Sequence, residues 1–391
     1  MDRRNLLKVG GALSIGAALS GNIGAKTGKE NFASPRPRLE EKVAVDLSSD
    51  GRVLSPFEYA QLLQKLIEQD PRIQDQYGRG GAVEKLERKF VKITGHESAV
   101  FLPSGTLANQ LAIKVLSGAR SKVFVQEQSH VYRDESDAAQ QVHGKRLMPL
   151  AVGKANFTLE DLQSAIGNFR RNEVFQTEIG AISIENTVRR RQEEIFDLGE
   201  IARVSAFARE RGIGMHLDGA RLYMASTWAG VAIEKYASYF DTVYISLYKY
   251  LGASSGAILT GTRETISKVR KWMKLYGCVM YQNWPNALVA LHFLNGFEDR
   301  MKRASERSIE LFRMLNKIEG LQVESLARRS NTSELKLTGI GARALAGKLW
   351  TDHKIRVRPT GTKSILMKVN DTLLNLEPER IAKAFKESCA S

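Results

Sequence analysis

A lysine set directly behind a short apolar run is the residue in this chain whose surroundings most invite covalent chemistry. Lys249 follows Thr242-Val243-Tyr244-Ile245-Ser246 and lies among Leu247, Tyr248, Tyr250 and Leu251. Apolar neighbours strip water from an amine, which lowers its pKa and makes it nucleophilic toward a carbonyl carbon. Asp218 closes a second run, Gly214 to Leu217, and is followed by Gly219-Ala220-Arg221. A carboxylate at the C-terminal end of a buried parallel strand stands where ligands bind in open α/β sheets. There it can hold a protonated ring nitrogen through a charge-assisted hydrogen bond.

Two further motifs suit the same kind of ligand. Phe101-Leu102-Pro103-Ser104-Gly105-Thr106-Leu107-Ala108-Asn109 reads as a strand, a turn and a helix start. Helix N-termini present unpaired N–H groups and positive dipole ends to a phosphate. Ser104 and Thr106 add hydroxyls, and Gly105 lets the backbone come close. In Ser129-His130-Val131-Tyr132-Arg133-Asp134-Glu135, the flat imidazole of His130 could stack on an aromatic ring or move a proton near neutral pH. Each motif has a plainer reading: an N-cap, a structural histidine, a helix-capping aspartate, a lysine extending its head to solvent.

The elements that would position these groups alternate along the chain. Apolar residues recur at helical spacing over Pro56 to Gln69 and Val83 to Ile93. Short apolar, β-branched runs follow at Ala99 to Leu102, Lys122 to Val125, Ala181 to Ile184, Gly214 to Leu217, Thr242 to Ser246 and Gly256 to Leu259. Helical stretches such as Leu107 to Leu116, Leu159 to Ile166 and Leu198 to Arg211 separate most of them. The alternation predicts an α/β fold with a mainly parallel sheet covered on both faces. Beyond Trp284 a long helical stretch, Asn286 to Ile318, leads to strands at Leu321 to Glu324, Ser333 to Leu337, Ile355 to Arg358 and Ile365 to Val369, then a helix from Glu377 to Glu387. The expected organisation is a large domain over 46–284 and a small α+β domain over 285–391.

The chain begins with an expected address. Arg3-Arg4 precede a weakly apolar run, Val9 to Leu19, too short to span a bilayer. This fits a twin-arginine export signal over residues 1–30, with a linker over 31–45 and a periplasmic destination. No membrane association is expected once the signal is removed. The 391 residues carry a net charge of +15. That balance favours anionic partners, but the basic residues are dispersed and match no nucleic-acid-binding pattern, so nucleic acid is not expected. Two cysteines and six singly scattered histidines give no metal-ligand spacing.

Taken in order, these motifs resemble the fold type I pyridoxal-phosphate enzymes, and within them the threonine aldolase and β-eliminating lyase family. The resemblance runs from about Asp46 to the end, through Leu102–Asn109, Ser129-His130, Glu185-Asn186-Thr187, His216–Leu222 and Ser246–Gly252. It implies a large domain built on a mainly parallel seven-stranded sheet, pyridoxal 5'-phosphate as cofactor, and an assembly of two or four like subunits. It implies that Lys249 bonds to the cofactor and that Asp218 keeps its ring nitrogen protonated. His130 would stack on the ring and take a substrate hydroxyl proton. Ser104, Gly105 and Thr106 would hold the phosphate, with Ser246 also among the cofactor-binding residues. Arg221 would reach the ring's phenolic oxygen and the substrate carboxylate, which Ser49 would also contact, and Tyr77 would reach a neighbouring subunit's site.

Three positions depart from the family pattern. Val188 stands where threonine aldolases commonly carry a histidine, Tyr248 replaces the serine before the lysine, and Ile365–Asn370 lacks a carboxylate-binding arginine. Arg189, just past Glu185, is a candidate replacement for that arginine, or belongs to a solvated basic turn. The expected activity is aldol cleavage of a β-hydroxy amino acid, such as threonine or allo-threonine, to glycine and an aldehyde. The alternatives are β-elimination or another amino-acid transformation, and an exported binding protein without turnover.

Overall fold

The computed structural model of the protein describes residues 42–324 and 329–390; the expected export signal lies outside the described residues. Seven strands form the large sheet: β1 (Ser98–Leu102), β2 (Lys122–Gln126), β3 (Arg146–Leu150), β4 (Ile179–Glu185), β5 (Gly214–Asp218), β6 (Thr242–Ser246) and β7 (Ala257–Gly261). Their spatial order is β1-β7-β6-β5-β4-β2-β3. Pairing is parallel from β6 through β3, and β7 runs antiparallel to both β1 and β6. β1 therefore points the same way as the parallel set. The carboxyl ends of β1, β2, β4, β5 and β6 all open on one edge, where the candidate residues follow them.

Residues of β2, β4, β6 and β7 are buried throughout, as a sheet covered on both faces requires. Helix Gly105–Ser117 turns Ala108, Leu111, Ala112 and Ile113 inward. Gly180 and Gly214 admit this helix closely: a methyl group on either would come within 3.0 Å of Ser117 or Leu116.

Two local readings of the sequence are corrected. β3, Arg146-Leu147-Met148-Pro149-Leu150, is not among the strands expected from the sequence, and it contains a proline. It forms at the edge of the sheet, where a missing N–H costs no ladder bond. The expected helix over Asn286 to Ile318 is two helices, Trp284–Leu294 and Phe297–Leu315. Gly296 breaks it with a left-handed φ of 64°.

Beyond these helices, a four-stranded sheet runs in the order Arg358–Pro359, Ser364–Lys368, Thr332–Leu337, Leu321–Glu324, and helix Pro378–Ala390 follows. The short strand Val45–Asp46 pairs with Ile355–Arg356, so the first described strand lies with this C-terminal part.

A buried quartet of charges ties these segments to the large sheet. Arg221 Nε donates to Asp50 Oδ2 at 2.8 Å and lies 3.2 Å from Glu193 Oε1. Lys368 Nζ, from the strand Ser364–Lys368, donates to Asp50 Oδ1 at 2.7 Å and to Glu193 Oε1 at 3.0 Å. Two cations face two anions, so the cluster is formally neutral. Replacing Lys368 by Met leaves two buried carboxylates against one guanidinium. Lys368→Met should cost about 3–5 kcal/mol in chemical denaturation, and adding Glu193→Gln should recover part of that loss. A single variant as stable as the parent would show that the quartet does not hold the parts together.

Candidate active site

Lys249 sits in the turn just after β6, half-buried, and no protein partner is recorded for its amine among the described residues. Burial, reinforced by the positive charge of Arg221, pushes that amine down to about 8, against the pull of Asp218, Asp50 and Glu185. Far more of it is unprotonated near neutral pH than of an exposed lysine, and the unprotonated amine is the state a nucleophile needs.

Asp218 ends β5 and is buried. Its Oδ2 accepts a hydrogen bond from Asn109 Nδ2 at 2.8 Å, and its Oδ1 accepts from the Ala220 backbone N–H at 3.2 Å. Behind it stands His216, fully buried, which contacts Asn109 Oδ1 through Nε2 (3.0 Å) and Thr242 Oγ1 through Nδ1 (2.9 Å). Burial pushes this imidazole down to about 4, so it serves as a neutral prop.

His130 opens a one-turn helix, His130–Arg133, shortly after β2. Its Nδ1 lies 2.9 Å from Glu135 Oε1, and its backbone N–H donates to Glu185 Oε2 at 2.7 Å. Burial pulls the imidazole's pKa down, but the Glu135 hydrogen bond and the charges of Asp218, Glu135 and Glu185 outweigh it and raise the value. Glu185 ends β4 directly opposite Asp218 in the ladder. Burial first, and then the Asp218 charge, push its carboxyl up to about 7. Acceptor atoms of His130, Glu135 and Asp218 gather within 4.8 Å of one another, a metal-like grouping that no sequence spacing announces. Hydrogen bonds join these three residues: Asn109 donates to both Glu135 Oε1 and Asp218 Oδ2, and His130 Nδ1 lies on Glu135 Oε1.

The Ser104 turn behaves as the strand-to-helix junction expected. Ser104 caps the helix by accepting from the Leu107 N–H at 3.3 Å. Gly105 is required: a Cβ there would fall 2.0 Å from the Tyr244 hydroxyl. Thr106 is half-buried in the first turn, and Ser246 Oγ is buried at the end of β6 with no hydrogen-bond partner. Arg221 is fixed through its Nε, and no partner is recorded for its Nη atoms among the described residues. Its two carboxylate partners outweigh burial and hold the guanidinium firmly charged. For Asp50, the charges of Arg221 and Lys368 overcome the effect of burial and keep the carboxyl well below its usual range.

The remaining candidates fare differently. Ser49 adjoins the quartet in sequence and donates its hydroxyl to the Gly51 carbonyl at 2.7 Å. Arg189 pairs its Nη2 with Asp134 Oδ2 at 2.6 Å, and Arg190 grips the same carboxylate. It is thus held by an anion of the chain's own, a competitor for any carboxylate ligand. Tyr77, at φ 51°, is 55% exposed and packs edge-on against Tyr281. Sequence reasoning missed Asn109, Glu135, Glu185, His216 and Lys368 as parts of the site. A charged Lys368 inside the apolar run Ile365 to Val369 was the available signal for one of them.

A family model described as beta-eliminating lyase matches residues 70–337. A Candida albicans relative, named as a low-specificity L-threonine aldolase, is 32% identical over 213 residues, 54% of this chain and 56% of its own. A Saccharomyces cerevisiae relative of the same name is 29% identical over 221 residues, again 56% of each. The chain thus spans little more than half the length of these curated relatives. Among solved structures, an Exiguobacterium protein named as a candidate aromatic amino acid beta-eliminating lyase/threonine aldolase superposes with a TM-score of 0.73 at 24% identity, covering 88% of this chain and 97% of that one. That likeness establishes a shared fold.

The desolvated amine gives a direct test. In cofactor-free protein, labelling with trinitrobenzenesulfonate, read on the Lys249 peptide by mass spectrometry, should reach half its limiting rate near pH 8. Exposed lysines titrate about two units higher. A Lys249 midpoint above pH 10 would refute the desolvated environment. The same depression means that Lys249 costs stability below about pH 8 and that the cost fades as pH rises toward its unfolded value.

Proposed function

The chain belongs to the beta-eliminating lyase family, and we propose that it is a pyridoxal 5'-phosphate-dependent lyase cleaving the Cα–Cβ bond of a β-hydroxy amino acid of the threonine type. The products would be glycine and an aldehyde. The observation that carries this reading is the convergence of an unpartnered, desolvated Lys249 amine, a buried Asp218 carboxylate and the His130 imidazole on one sheet edge. The names of the Candida and Saccharomyces relatives support the reaction.

The residues present fit the cofactor. An amine suits its aldehyde, and a carboxylate suits its ring nitrogen. The Ser104–Thr106 turn with the N-terminus of Gly105–Ser117 suits its phosphate, and the buried, unpartnered Ser246 hydroxyl offers a further polar contact. When bound, pyridoxal phosphate supplies a carbonyl for amines and a ring that takes up electron density as a bond at the α-carbon breaks. Lys249 would hold it and, once released by the incoming amino group, carry a proton to or from the α-carbon. Asp218, kept an acceptor by Asn109, would hold the ring nitrogen protonated. Arg221 would bind the substrate carboxylate through its free Nη edge, with Ser49 beside it. His130 would receive the proton of the substrate's β-hydroxyl. Val188 is fully buried and apolar, so this position contributes no second proton carrier and the task falls on His130.

Export by the twin-arginine route, and a periplasmic location, are proposed on Arg3-Arg4 and the apolar run that follows them. Assembly of like subunits, with Tyr77 reaching a neighbour, is supported by the exposure of Tyr77 and Tyr281.

Purified protein offered threonine, allo-threonine, serine and cysteine should yield glycine and an aldehyde from the first two. Lys249→Ala should abolish turnover, and His130→Asn should lower kcat about a hundredfold or more. Pyruvate and ammonia as the products would instead favour β-elimination and sink the aldol reading.

A further inference from the structure

A single buried amide touches both halves of the site. Asn109, fully buried on helix Gly105–Ser117, donates one N–H to Asp218 Oδ2 and the other to Glu135 Oε1, each at 2.8 Å. An ionised carboxylate can only accept, so these two bonds fix which end of the amide is nitrogen. Its oxygen then accepts from His216 Nε2–H at 3.0 Å, and the Thr242 hydroxyl donates to His216 Nδ1 at 2.9 Å. Every donor and acceptor in this chain of groups has one available direction.

Glu135 ends the chain. Its Oε1 takes two donors, Asn109 Nδ2–H and His130 Nδ1–H, while its Oε2 is buried without a partner. An oxygen that accepts twice can meet the imidazole only through an N–H, which sets the His130 tautomer. The other groups facing the imidazole are Asp218, from the end of β5, and Glu185, from the end of β4. Nothing among the described residues is recorded on His130 Nε2, and its side chain retains 28% exposure.

We propose that Glu135, pinned by Asn109, is the orienting carboxylate of His130: it commits Nδ1 as a donor and leaves Nε2 as the nitrogen that receives the substrate's hydroxyl proton. This rests on the reading of His130 as proton acceptor and extends it to two positioning residues. In the step, the hydroxyl O–H bond breaks and the proton bonds to Nε2. The freed electron pair forms the aldehyde C=O as the Cα–Cβ bond breaks, and that bond's electrons stay on the α-carbon side, where the cofactor, when bound, would supply the sink for them. The imidazolium left behind lies against the Glu135 carboxylate, which offsets its charge. Because Asn109 also holds Asp218, the carboxylate facing the ring nitrogen and the one facing the base share a support.

The test is the pH dependence with which diethyl pyrocarbonate modifies His130 in the cofactor-loaded protein, followed on the His130 peptide by mass spectrometry, since the reagent attacks only the unprotonated ring. Glu135→Gln keeps an acceptor but removes the charge, and its midpoint should fall by about one pH unit. Asn109→Ala should move it in the same direction by less. Turnover of threonine by Glu135→Gln should drop at least about tenfold in kcat with KM little changed, and Glu135→Asp should restore part of it. An unchanged His130 midpoint in both Glu135→Gln and Asn109→Ala, with folding and cofactor content intact, would overturn the proposal. If the wild-type protein cleaves no β-hydroxy amino acid, the functional reading fails. The midpoints would still decide whether Glu135 governs His130.

Discussion

Holding an amine out of water beside a buried guanidinium is the constraint around which this structure is arranged. As the proposed nucleophile, Lys249 would need its proton loosely held, and both burial and the charge of Arg221 loosen it. Yet Arg221 cannot itself stand buried and unpaired, because an uncompensated charge in the interior costs several kcal/mol. Asp50 and Glu193 supply the compensation, and they require Lys368 to balance them. The nucleophile's environment thus draws in the first described segment, the turn after β4 and the C-terminal sheet. The joint between the two parts of the fold and the electrostatics of the site are one cluster.

The two sides of the site are supported by different means. On the lysine side, charge meets charge, and the quartet is rigid because breaking any pair strands an ion. On the aspartate side, the supports are neutral: Thr242, His216 and Asn109 pass a chain of directed hydrogen bonds from the sheet interior to two carboxylates. A histidine driven down to about 4 cannot add a positive charge behind Asp218. The carboxylate therefore keeps its pull for a cation on its open side, as a protonated ring nitrogen would need.

Much of this was legible because some of the chemistry is local. Lys249, Asp218 and the Ser104 turn each follow an apolar run, and a strand's end is visible in sequence. The sheet followed from alternation, apart from β3, whose Pro149 argues against a strand until its edge position is known. The supports were hidden because they join distant residues. Asn109 reaches across 109 positions to Asp218, and Lys368 reaches across 318 to Asp50. Local pattern carries no record of such pairings. Asn109 stood within a quoted motif, but an asparagine on a helix's inward face declares only that it needs partners. Arg189 shows the same limit from the other side. Adjacency to Glu185 made it a candidate ligand, while its actual partner, Asp134, lies 55 residues away.

Val188 bears on how the work is divided. A buried valine at that position, its backbone N–H tied to the Glu194 carbonyl at 2.9 Å, packs the turn that delivers Glu193 to the quartet. Val188, Glu185 and Glu193 are all buried. Lower local polarity strengthens each nearby ion pair and raises the cost of leaving one unmet. Glu185, pushed up to about 7 by burial and the Asp218 charge, shares that interior. A second titrating imidazole at this position would add a charge to a balanced set. With valine there, His130 is the histidine that would exchange protons at the edge of the proposed site, beside the carboxylates of Glu135, Asp218 and Glu185.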